Sequence, residues 1–155
     1  MEIRKSKLEL SYRQFCIFNE DVINPFNEWD VDRVAQGFSI RKDSLSVMSI
    51  NEYGTLNVCL LRNSEMLNNA NRIIEFEYKI KNDFLIIATI TAEMKFKVQK
   101  GNWVIRIQLV QENDSEESCY ISFEKKQQGI SYPHYIKFDD EITKHDNFII
   151  DSNPA

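Results

Sequence analysis

Apolar and polar residues alternate with a period of two along much of this chain, the pattern of strands with one face in a core and the other in water. The clearest stretch is Ile73 to Lys81, where Ile74, Phe76, Tyr78 and Ile80 are expected inside and Glu75, Glu77, Lys79 and Lys81 outside. Met94, Phe96 and Val98 repeat the pattern, and Lys100-Gly101-Asn102 supplies turn residues ahead of Trp103, Ile105, Ile107 and Leu109. This second pair reads as a β-hairpin. Asn82-Asp83 precedes Phe84 to Ala88, which is apolar on both faces and is expected to be a covered central strand. Weaker strands are expected at Leu8 to Phe18, Leu45 to Ser49, Leu56 to Leu61, Tyr120 to Glu124 and Phe148 to Ile150. The first slips phase between Tyr12 and Phe15, which reads as a bulge.

One helix is signalled. Asp30 can cap it, Asp32 suits the positive end of its dipole, Val31, Val34 and Ala35 form an i, i+3, i+4 face, and Gly37 suits a left-handed stop. Ser64 to Asn71 reads as a second short turn or a loop, and Gln127 to Tyr132 as a connector around Gly129. Many strands with short turns and almost no intervening helix predict a mostly β fold, an antiparallel β-sandwich with one or two short helices. A length of 155 residues predicts one domain over 1–155.

Composition narrows the function classes. No apolar run approaches the length needed to span a bilayer, and Met1 to Lys7 leads into alternating Leu8-Glu9-Leu10 rather than an apolar signal core, so a cytoplasmic protein is expected. Cys16, Cys59 and Cys119 are far apart and flanked by apolar or aromatic residues, which reads as free thiols in strands. The net charge of −5 argues against direct nucleic-acid binding and for a basic or apolar protein partner. Residues 111–155 hold ten acids against four bases, whereas residues 1–110 hold fourteen acids against fifteen bases. The last third is therefore the acidic part.

The residues offer little chemistry. With glycines only at positions 37, 54, 101 and 129, no phosphate cradle or nucleophile elbow can be built. No short-spaced Cys or His pair suggests a metal, and neither a cofactor nor a catalytic group is expected. His134 and His145 are the only histidines; either has the chemistry of a general base, but a surface or packing role is the simpler reading. Glu75 and Glu77 lie two apart on one strand face, and Lys79 and Lys81 continue that face as a solvated ladder. Asn113-Asp114-Ser115 is formally a glycosylation acceptor, which without a secretory signal marks only an exposed loop. Trp29, after Pro25 and Phe26, reads as packing at the helix entry. Two acidic segments are candidate partner-binding surfaces: Glu112, Asp114, Glu116 and Glu117, and the run Asp139, Asp140 and Glu141. Such clusters can steer a basic partner.

The stretch Leu10-Ser11-Tyr12-Arg13-Gln14-Phe15-Cys16-Ile17-Phe18 and the helix region Glu28-Trp29-Asp30-Val31-Asp32-Arg33-Val34-Ala35-Gln36-Gly37-Phe38 resemble the competence protein J family. The similarity continues through Ile40 to Val47, with echoes at Leu60-Leu61-Arg62 and Phe148 to Asp151, and is firmest over the first third of the chain. Residues 111–145 look longer than the family pattern. The resemblance implies a small bacterial protein that binds and inhibits a DNA-entry nuclease, and it brings no catalytic residue with it. A nuclease inhibitor or immunity-type partner is thus the leading expectation. The alternatives are a small-molecule or lipid-binding sandwich whose pocket is lined by aromatics, and a small hydrolase built on a histidine.

Overall fold

The computed structural model describes residues 2–63 and 65–155, with the side chains of positions 2 and 3 left aside. Among these residues, eleven strands and one helix follow in chain order: β1 Glu2–Leu10, β2 Gln14–Asn19, α1 Val31–Gln36, β3 Phe38–Arg41, β4 Ser44–Met48, β5 Gly54–Leu61, β6 Arg72–Ile80, β7 Phe84–Ala88, β8 Glu93–Lys97, β9 Gly101–Asn113, β10 Glu116–Glu124 and β11 His134–Lys137. They form two sheets, β1-β5-β10-β9-β6-β11 and β3-β4-β2-β7-β8. Every pairing is antiparallel except that of β10 with β5, which is parallel.

The inner faces meet in one core, with Leu56, Phe76, Ile105 and Ile121 from the larger sheet and Phe15, Phe38, Leu45 and Ile87 from the smaller. The alternation read for Ile73 to Lys81 places Ile74, Phe76, Tyr78 and Ile80 in that core. Both outer faces are partly covered. Cys16, Phe18, Ile86 and Ala88 pack under Val22 and Phe26, so β7 is apolar on two faces because it is covered on two. Ala70, Ile73 and Val110 pack with Leu67 and Tyr120 on the outer face of the larger sheet. Gln108 fastens the loop there by accepting from Leu67 N–H at 2.8 Å and donating to Glu65 O at 2.7 Å.

Three local expectations change. β8 and β9 do not pair: β8 joins β7 in the smaller sheet and β9 lies between β6 and β10 in the larger, so Lys100-Gly101-Asn102 leads across the sandwich. The phase slip in Leu8 to Phe18 is a change of sheet from β1 to β2 rather than a bulge, with Tyr12 and Arg13 both at φ 56°. Phe148 to Ile150 is not a strand; Phe148 packs edge-on against Phe38, and Ile149 N–H donates to the Gln36 side chain at 3.0 Å. Residues 65–71 are loop and Ser64 lies outside the described residues, while Gln127 to Tyr132 is the expected connector.

Helix α1 has the expected ends. The Asp30 carboxylate accepts from Arg33 N–H at 2.9 Å, and Gly37 turns left-handed at φ 81°. Its faces are reversed: Val31 and Val34 are exposed, while Arg33 and Gln36 are buried. The helix packs against the C-terminal tail through hydrogen bonds. Arg33 donates to Ser152 Oγ at 2.7 Å, Gln36 donates to Ile149 O at 3.0 Å, and Ala35 O accepts from Thr143 and Lys144 N–H.

Candidate functional site

The two acidic segments lie at one end of the sandwich because both are tied to the β4–β5 loop. Asn51 Nδ2 donates to Asn113 O at 2.9 Å and Asn51 Oδ1 accepts from Gln111 at 2.7 Å, which fixes the β9–β10 turn. Arg13 donates to Ser49 O and Ile50 O, both at 3.3 Å, and pairs with Glu141. Arg72, almost wholly buried, donates to Met48 O at 3.1 Å, Asp139 at 2.9 Å and Glu141 at 3.1 Å. Gly54 closes the arrangement at φ 117°, where an added Cβ would lie 2.1 Å from Ser115 O.

The predicted acids differ in what they do there. Glu112 and Asp114 are exposed at the hairpin tip, and Glu112 accepts from Ser118 Oγ at 2.9 Å. Glu116 is half-buried and accepts from Asn57 at 3.1 Å. Asp140 is exposed. Asp139 is half-buried against Arg72, whereas Glu141 is exposed even though it pairs with Arg13 and Arg72. Glu117 is no surface acid: it is wholly buried, accepting from Ile50 N–H at 2.9 Å and Asn51 N–H at 2.7 Å. Burial pushes its carboxyl above the usual range, against the pull of those N–H groups and of Arg72 and Arg13. Its position was legible, since it continues the inward parity of Cys119 and Ile121.

Sequence reasoning missed two exposed aromatics at this end. Tyr12 is 78% exposed and Tyr53 66% exposed, and their segments are joined by Arg13 N–H donating to Glu52 O at 3.1 Å. Tyr12 sits on a left-handed turn, a backbone conformation that costs a non-glycine residue about 1 kcal/mol. Large aromatics beside exposed acids are the residue types that anchor protein interfaces. Trp29 packs as expected, its indole N–H donating to Gln14 at 2.9 Å.

A second polar cluster lies on the outer face of the larger sheet and corrects the solvated ladder read for β6. Glu75 is buried between Arg106 at 3.0 Å and His134 at 2.6 Å, and Arg106 reaches Glu124 at 3.0 Å; Glu77, Lys79 and Lys81 are exposed. Burial raises the Glu75 carboxyl, but its hydrogen bonds with His134, Glu124 and Arg106 and the Arg106 charge outweigh that and hold it below the usual range. His145 donates its ring Nε2–H to Ile142 O of its own loop at 2.6 Å and stacks on Phe138. Cys16, Cys59 and Cys119 are buried free thiols. Among the described residues, no group of three His, Cys, Asp or Glu side chains is placed to hold a metal, and no helix is long and apolar enough to cross a membrane.

A family model for competence protein J matches residues 7–138. The chain belongs to the competence protein J family. The match extends well past the first third and through the β9–β10 turn, so Glu112 to Glu117 fall inside the family region and Asp139 to Glu141 beyond it. Among solved structures, the fold is similar to that of ComJ from Bacillus subtilis, the inhibitor of the DNA-degrading activity of NucA, at 18% identity and a TM-score of 0.70 over 81% of this chain and 98% of that one. It is also similar to the crocagin biosynthetic gene J protein, at 12% identity and a TM-score of 0.50 over 79% of this chain and 96% of that one. No curated protein sequence matches the chain. Residues 139–155, beyond the matched span, strap α1 and β3 through Thr143, Ile149 and Ser152.

Proposed function

We propose that this chain is a protein inhibitor of a DNA-degrading nuclease and that it works by stoichiometric binding. Membership of the competence protein J family carries this reading, and the likeness to ComJ, the inhibitor of NucA, supports it. The acidic end supplies the physical means. An enzyme that grips DNA presents basic groups to phosphates, and Glu112, Asp114 and Asp140 offer carboxylates that compete for them. Tyr12 and Tyr53 supply apolar contact area beside those charges. Glu117, Arg13 and Arg72 hold the loops that carry them, so less ordering remains to be done on binding. The chain itself then performs no chemistry. Three buried thiols suit a reducing compartment, and we place the protein in the cytoplasm.

Titrating a fixed amount of such a nuclease with the purified chain tests the proposal. DNA degradation should fall linearly to an equivalence point near one chain per enzyme. Undiminished degradation at large excess would remove the inhibitor reading.

A further inference from the structure

The negative net charge hides a local excess of lysine. β9 runs its 13 residues, roughly 40 Å, from the acidic end at Asn113 to Gly101 at the opposite end, where lysines gather. There β11 pairs with β6 only over Ile73 to Glu75, and a cleft of about 340 Å³ opens beside the uncovered remainder of β6. Phe76, Tyr78 and Leu45 line it, Trp103 and Tyr132 border it, and Lys42, Lys79 and Lys126 stand at its rim. A second cleft of about 440 Å³ shares Asn102, Trp103 and Lys126 with the first and adds Lys100 and Lys125.

We propose that these joined clefts bind a short stretch of single-stranded nucleic acid, bases against Trp103 and Tyr132 and phosphates against the lysines. Trp103 is half-buried, packs against the core and borders both clefts, its indole N–H donating to Gln99 O at 2.9 Å. Lys42, Lys79 and Lys125 are exposed with no salt bridge among the described residues. Asp43 pairs at 3.8 Å with Arg41, which lines the first cleft, and two more carboxylates oppose the site: Glu77 lies 3.3 Å from Lys126 and Asp83 lies 3.6 Å from Lys100. All four side chains of the two lysine pairs are about half exposed or more, so those pairs are weak and a phosphate can displace them. A cationic track interleaved with aromatic rings is what a single strand needs, because its bases are free to stack. A duplex keeps its base faces hidden, and a lone small anion would leave one of the two clefts empty.

The test is fluorescence anisotropy of a labelled short dT strand titrated with the intact chain at low salt, without any nuclease. The expected result is saturable binding whose logarithmic dependence on salt has a slope of about −2, the value for neutralising about three phosphates of a single strand and releasing their counterions. Trp103→Ala should weaken binding at least fivefold. The double variant Lys79→Glu with Lys126→Glu alters only exposed side chains, keeps the fold intact by circular dichroism, and should abolish binding. Glu112→Gln with Asp114→Asn, at the far end, should leave it unchanged, which separates this site from nuclease inhibition. Absence of saturable binding, equal affinity for duplex DNA or inorganic polyphosphate, or full binding by the double lysine variant would overturn the proposal.

Discussion

At Glu117 a carboxylate that belongs by composition to the acidic third spends its charge inside the protein. Removing it orphans the Ile50 and Asn51 N–H groups, so Glu117→Ala should cost about 3 kcal/mol in urea unfolding, whereas Glu112→Ala and Asp114→Ala should each stay within about 0.5 kcal/mol. Equal costs at all three positions would show that Glu117 is solvated. Glu75 makes the complementary case. Its folded carboxyl titrates below the ordinary 4.5, so its stabilising contribution is complete above that value and is lost as pH falls through the folded one. Glu75→Gln should therefore be less stable than the parent by about 3 kcal/mol at pH 6, the penalty of breaking a buried pair. The gap should narrow on acidification, read from urea midpoints between about pH 6 and pH 3; a constant gap would mean that the charge of Glu75 is not what stabilises. Both residues had a sequence signal. Glu117 keeps the core parity of β10, and Arg106 is the lone charge in the middle of β9, opposite Glu75.

Among the elements, strand existence was legible because alternation is a local property, while strand partnership was not. Met94 to Leu109 has the residues of a hairpin, yet β8 and β9 lie in different sheets, because both inner faces are apolar and either sheet can bury them. The helix ends were legible in Asp30 and Gly37, but its orientation depended on hydrogen bonds to residues 143–152, which no local pattern contains. The acidic turn depends on Gly54, whose φ of 117° and contact with Ser115 admit no side chain. Gly54→Ala should cost about 3 kcal/mol and slow nuclease association together, since the turn it displaces carries Asp114. Stability loss with unaltered association would detach the turn from the interface. Neutralising Asp139 and Glu141 should destabilise the fold, because buried Arg72 would lose both carboxylates it donates to.

For the whole molecule, a count of charges points to a basic partner, and the structure places Glu112, Asp114 and Asp140 at one end, where Lys5 and Lys7 share a pocket with Glu112, and Lys100, Lys125 and Lys126 at the other. Chain-wide net charge could not show this, since it sums over both ends. The exposed acids that Arg13 and Arg72 do not hold, Glu112, Asp114 and Asp140, are the ones left to steer association. Exposed charges act over about 8 Å at physiological ionic strength, so their neutralisation should lower the association rate and its salt dependence more than the dissociation rate. The central claim is that this end meets the nuclease. Stopped-flow or surface kinetics of nuclease binding by the parent chain and by the triple variant Glu112→Gln, Asp114→Asn, Asp140→Asn tests it most directly. The account predicts an association rate at least fivefold slower for the variant at low salt, converging with the parent as salt rises. Identical association rates at every salt concentration would contradict it.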